Sequence, residues 1–131
     1  MSEIIKPRPK FLALHEIRFP LAGFVSGMHR VSGLGLFLLL PLLIYLLQLS
    51  LGGTPQSQEQ FSSLTGNLFI KLIFLGLSWA YLHHFCAGIR FLFMDMHIGV
   101  DKVPSQKSAK AVFAVSLLLT VIVAFKLLGG Q

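Results

Sequence analysis

A chain of 131 residues that is 54% hydrophobic and only 12% charged forms one compact unit that water would not keep soluble. Its net charge of +6 comes without the interleaved basic and aromatic residues of a nucleic-acid binder, so no nucleic acid is expected as a partner. The single cysteine, Cys86, excludes an intrachain disulfide and any metal cluster built on cysteines of this chain.

Residues 1–20 read as an irregular arm, because Pro7 and Pro9 block regular helix and Pro20 favours a helix start. These prolines and the scattered charges do not resemble a cleavable signal peptide, so the first span is expected to serve as the insertion signal. A first helix is predicted over 21–51, with Pro41 placed to kink it. At about 1.5 Å per residue it is longer than the ~20 residues a bilayer core requires. The stretch 52–67, rich in Gly, Ser, Gln and Thr, reads as an outside loop. A second helix is predicted over 68–94, a polar inside loop with Pro104 over 99–108, and a third helix over 108–128 that looks like packing without chemistry of its own. The fold class is therefore an all-α membrane protein: a short N-terminal arm, then three transmembrane helices over 21–131.

Lysine and arginine set the expected orientation. Nine of them (Lys6, Arg8, Lys10, Arg18, Arg30, Arg90, Lys102, Lys107 and Lys110) fall on one side, against Lys71 and Lys126 on the other. By the excess of positive charge on cytoplasmic loops, the N-terminus is cytoplasmic and the C-terminus lies outside.

Two constellations carry chemistry. In the first, 23–33 (GFVSGMHRVSG), Ser26, His29 and Arg30 lie three and four residues apart and project from one side of a helix. One reading is an arginine snorkelling to the headgroups with a histidine at the interface. The other is a polar pocket for the head of a lipophilic substrate, since hydroxyl and guanidinium both donate to a carbonyl oxygen. The second constellation is YLHHFCAGIRFLFMD, 81–95, where His83, His84 and Arg90 occur at bilayer depth. Ionisable groups there are costly and usually face a protein interior, a cofactor or a path.

Gly76, Ala80, His84 and Gly88 follow at four-residue steps, which gives His84 the clearance that an edge-on porphyrin needs. Ordinary small-residue packing, with His84 hydrogen-bonded across the interface, explains the same stripe. His83 points about 100° away. A haem on His84 would turn its propionates toward His29, Arg30 and Arg90, whose charges offset buried carboxylates. Asp95 and His97 are either a solvated helix end or part of a proton route with Arg90. A reading of another class is a small non-redox transporter or channel subunit whose path is lined by His84 and Arg90.

RPKFLALHEIRFPLAG, then S-x-x-H-R-V-S-G at 26–33, H-x-x-x-G-I-R-x-x-x-x-D at 84–95 and KSAK at 107–110 together resemble the cytochrome b556 membrane-anchor subunit of bacterial succinate dehydrogenase, respiratory complex II. The match covers almost the whole chain. The resemblance implies that His84 is an axial ligand of one haem b, that His29 lies by its propionates, where the helix geometry also sets Arg30, and that Ser26 and Arg30 line a ubiquinone site. It implies that the second axial histidine comes from a smaller anchor subunit, so that this chain is half of a shared bundle. Its further partners would be an iron–sulfur subunit and a flavoprotein subunit, with membrane lipid around it. The complex, rather than the isolated chain, would be the enzyme, a quinone-reducing succinate dehydrogenase of the tricarboxylic acid cycle and respiratory electron transport. Its place would be the bacterial inner membrane, with the C-terminus periplasmic. Phe91 departs from the pattern, which has a histidine there, and an exchange of ligand between the adjacent His83 and His84 is the alternative at the metal.

Overall fold

The computed structural model describes residues 7, 8, 10, 11, 13 and 15–130. The arm expected over 1–20 therefore lies partly outside the described residues; where described, it is exposed except for the half-buried Ala13, and irregular apart from a turn at His15 and Glu16. Five helices follow: α1 Leu21–Leu38, α2 Leu40–Leu51, α3 Pro55–Gly66, α4 Leu68–Asp95 and α5 Lys102–Gly129. Of these, α1, α4 and α5 are long and apolar enough to cross a membrane.

The span expected over 21–51 is interrupted at Leu39, and the cause is Pro41 in the first turn of α2. Proline has no N–H to give to the carbonyl four residues back, and its ring crowds that carbonyl. Leu39 N–H still reaches Gly35 O, and Leu43 N–H reaches Leu39 O, so the chain is bent rather than cut. Past the break the two halves behave differently. The first, α1, packs on α4 and α5, whereas among the described residues α2 packs only on α1 and α3.

Two stretches read as loops are helical. The segment 52–67 contains α3, started by Thr54: its hydroxyl accepts the Ser57 N–H at 3.1 Å while Ser57 Oγ accepts the Thr54 N–H at 3.2 Å. Pro55, at the first helical position, loses no bond there. Asn67 ends α3 and opens α4, its side chain accepting the Phe69 N–H at 2.8 Å. Likewise α5 begins at Lys102 rather than near 108, because Pro104 falls within the first turn, where N–H groups have no intrahelical acceptor anyway.

Helix α4 closes with His97 at a φ of 59°. The Ile98 N–H reaches Phe93 O at 3.0 Å and the His97 N–H reaches Met94 O at 2.9 Å. This is the paired bonding that satisfies the last carbonyls of a helix, with histidine where glycine is usual. His97 thus has a structural place, and Asp95 is the exposed last residue of the helix.

The seam between α1, α4 and α5 is made of small side chains. Val25, Ala87, Ala109 and Val112 form its centre, with Leu21, Ala22, Cys86, Phe91 and Phe113 against it. Helices that gain little from expelling water associate by close backbone approach, which small residues allow. Polar clips lock the register. The Ala22 N–H, unsatisfied at the start of α1, is taken by Gln106 Oε1 at 3.3 Å. Arg90 of α4 donates through Nε to Ser108 Oγ at 2.9 Å and through one terminal nitrogen to Ser105 Oγ at 2.9 Å and Ser105 O at 3.3 Å. The start of α1, the end of α4 and the start of α5 therefore share one end of the bundle.

Candidate functional site

His84 and His29 meet across the α1–α4 seam. Their rings stack with centroids 4.1 Å apart and planes 8° from parallel. Three features let them approach so closely. Gly33 leaves the room that His84 occupies: a Cβ there would sit 2.8 Å from Cε1 of the ring. Gly88, one turn beyond His84, keeps clear of His29, whose Nε2 would lie 3.7 Å from a Cβ at that position. Phe91 meets the His29 ring edge-on at 5.2 Å.

The hydrogen bonds of His84 decide its chemistry. Its Nδ1 lies 3.0 Å from the backbone oxygen of His29, which can only accept. In the neutral ring the proton must therefore sit on Nδ1, and the lone pair is left on Nε2, which has no hydrogen-bond partner among the described residues. Metal-binding histidines are typically held this way, with one nitrogen fixed by a carbonyl and the other presented. The residues fit the axial role that the sequence pattern implies.

His29 does not fit as the opposing ligand. Stacked rings carry their nitrogens side by side instead of facing one another across a shared metal. His83 does not fit either. It is wholly buried, between Trp79 at 5.1 Å and Phe113 at 5.2 Å, and neither ring nitrogen has a hydrogen-bond partner among the described residues. An axial nitrogen needs an open approach, and His83 is sealed within its own chain.

The remaining expected residues divide. Ser26 is half-buried and Arg30 exposed on α1, near His29, and neither side chain has a hydrogen-bond partner among the described residues. Arg90, in contrast, is committed to Ser105 and Ser108, with its guanidinium 5.4 Å from the centre of the Phe91 ring. That places it in the α4–α5 seam, with its charge spent on helix packing. Of the three basic side chains considered for the propionates, His29 and Arg30 are the two without a side-chain hydrogen bond among the described residues. Beyond Ser32, an open groove of about 360 Å³ runs between α1 and α4, bordered by Gly35, Gly76 and Ala80.

Sequence reasoning passed over four residues that shape this region: Ser32, Gly33, Ser105 and Ser108. Ser32 and Gly33 stand inside the quoted motif, three and four residues after His29, so their place on the same helical side was a usable signal. The two serines lay in a segment read as loop, which hid their i, i+3 spacing.

The family described as "Succinate dehydrogenase/Fumarate reductase transmembrane subunit" matches this chain over residues 5–123. Three relatives carry the name "Succinate dehydrogenase cytochrome b556 subunit". The one from Coxiella burnetii is 36% identical over 115 residues, spanning 88% of this chain and 92% of the relative. The one from Paracoccus denitrificans is 30% identical over 115 residues, 88% of each chain. The one from Rickettsia prowazekii is 27% identical over 121 residues, 92% of this chain and 94% of the relative.

Proposed function

Because this chain belongs to the transmembrane-subunit family of succinate dehydrogenase and fumarate reductase, as a cytochrome b556 subunit, we propose that it binds haem b through His84 and helps form the pocket in which ubiquinone is reduced. The observation that carries this reading is the Nδ1 contact of His84 with the His29 carbonyl at 3.0 Å, which leaves Nε2 as the presented lone pair. When bound, haem b supplies a one-electron carrier within the membrane. The second axial histidine would come from another membrane-spanning anchor subunit, a reading supported by His29 stacked beside His84 and His83 sealed within the chain.

His29 and Arg30 would lie toward the haem propionates, where the Arg30 charge would offset the cost of buried carboxylates. Ser26 and Arg30 donate to a quinone carbonyl. Such donors bind an oxygen more tightly as it gains negative charge, so they favour the reduced state. Reduction to the quinol takes two electrons and two protons. The electrons come from an iron–sulfur subunit, itself supplied by a flavoprotein that oxidises succinate. Asp95, exposed where α4 ends, stands on the side from which protons enter. That side is the cytoplasm, on the distribution of nine cations against two, which puts the C-terminus in the periplasm of a bacterial inner membrane.

The test uses the assembled complex. His84→Leu is expected to lose or alter the b-type difference spectrum. Ser26→Ala is expected to keep that spectrum but to slow ubiquinone reduction roughly 5- to 150-fold, the equivalent of ~1–3 kcal/mol for a lost buried hydrogen bond, while succinate oxidation by a soluble acceptor persists. An unchanged spectrum in His84→Leu refutes the haem assignment. Equal loss of both activities in Ser26→Ala makes that residue structural.

A further inference from the structure

The His84 ring is held by more than one carbonyl. Ser32 lies one turn along α1 from His29 and is almost completely buried, with 4% of its surface exposed. Its hydroxyl is 2.9 Å from the His29 oxygen and 3.3 Å from Nδ1 of His84. The His29 oxygen, which can only accept, draws the proton of His84 to Nδ1; the Ser32 hydroxyl then donates to that same oxygen and turns a lone pair toward Nδ1. A proton on Nδ1 then meets two acceptors, the His29 oxygen and Ser32 Oγ. A proton on Nε2 instead would leave the Nδ1 lone pair against the acceptor-only carbonyl. The contacts therefore discriminate between the tautomers and also fix the ring's rotation.

We propose that Ser32 is a positioning residue for His84, its buried hydroxyl holding the imidazole in one orientation while the His29 carbonyl selects the Nδ1–H tautomer. This rests on the reading of His84 as an axial ligand and extends it to a residue at the ring nitrogen opposite the presented one. An acceptor at the far nitrogen makes an imidazole a more basic ligand, and a more basic ligand favours the oxidised metal. Ser32 thereby helps set the electron affinity of the site.

The experiment compares Ser32→Ala and Ser32→Thr in the assembled complex, with His84→Leu alongside. Ser32→Ala removes only one oxygen from a helix interior and is expected to assemble with parental haem content. Its midpoint potential should rise and its low-spin ferric resonance should shift, because the ring is less firmly oriented. Ser32→Thr, which retains the hydroxyl, should restore both. If His84→Leu loses the haem signal while Ser32→Ala has parental potential and resonance, the positioning role is overturned and the ligand assignment survives. If His84→Leu keeps the parental spectrum, the ligand assignment itself falls, and this role falls with it.

Discussion

Gly33→Ala tests the contact on which the site depends. An alanine Cβ would lie 2.8 Å from Cε1 of His84 and 3.2 Å from Nδ1, so the ring must recede by about 0.6 Å to reach the 3.4 Å of ordinary contact. Moving straight away from α1, it would stretch its 3.0 Å bond to the His29 oxygen beyond useful length. Overpacking of this kind costs ~1–3 kcal/mol, and a weakened hydrogen bond adds ~0.5–1.5 kcal/mol. The better helix propensity of alanine returns about 1 kcal/mol, so the net loss is roughly 0.5–3.5 kcal/mol. Gly35→Ala, two residues along the same helix, is the control, because a Cβ there meets nothing within 4 Å in this chain. The assay follows the b-type spectrum of the assembled complex through a thermal ramp, together with its ferric resonance at low temperature. Gly33→Ala should melt earlier and show a shifted resonance. Indistinguishable behaviour of the two variants would refute the close approach of α1 to His84.

Two other variants separate packing from chemistry. Arg90→Leu removes the clip between α4 and α5 and leaves the buried Ser105 hydroxyl without its donor, so thermal stability should fall by about 3 kcal/mol, the order of two charge-assisted bonds; Arg90→Lys should recover only part, since an ammonium cannot reproduce the planar fork, and parental stability in both would remove Arg90 from the seam. His83→Leu replaces a sealed imidazole whose nitrogens have no partner with an apolar side chain of similar size, so stability should hold or rise by ~1–3 kcal/mol with the b-type spectrum unchanged, and loss of the spectrum would identify His83 as the ligand instead.

How far the sequence disclosed this structure depended on which physical signal each element carried. The three spans were legible because unbroken apolarity over a bilayer's thickness leaves few alternatives. Pro41 was a legible breaker for the same reason that it acts as one, its missing N–H. The short helix α3 was not recognised, because a sixteen-residue polar stretch offers no apolar period. Its local signal, Thr54-Pro55-Gln56-Ser57, is a capping pattern with serine where glutamate or glutamine is usual. Pro104 misled in the opposite direction: within the first turn of a helix it is a starter, and only its distance from Asp101 distinguishes that role from loop punctuation.

The pair His83 and His84 marks the deeper limit. In a helix apolar on nearly every side, hydropathy does not say which face turns inward, and a 100° step between neighbours reverses the roles of the two rings. The answer comes from α1 and α5: Phe113 covers His83, while Gly33 makes room for His84. Apart from Trp79 Nε1 and the His83 ring, which are buried without a partner among the described residues, the same division runs through these polar groups. Arg90, Ser105, Ser108, Ser32 and Ser116 have their hydrogen bonds inside the chain. Ser26, Arg30 and Nε2 of His84 have none among the described residues, and none of these three residues is fully buried. In a bilayer a donor or lone pair without water must be matched by something else. An electron-pair donor on one side of a helix seam, and two hydrogen-bond donors on the adjoining face, suit respectively a metal and a carbonyl or carboxylate. The proposed haem-binding, quinone-reducing anchor would meet both requirements, whereas Arg90, which the transport reading set along its path, is bound to α5.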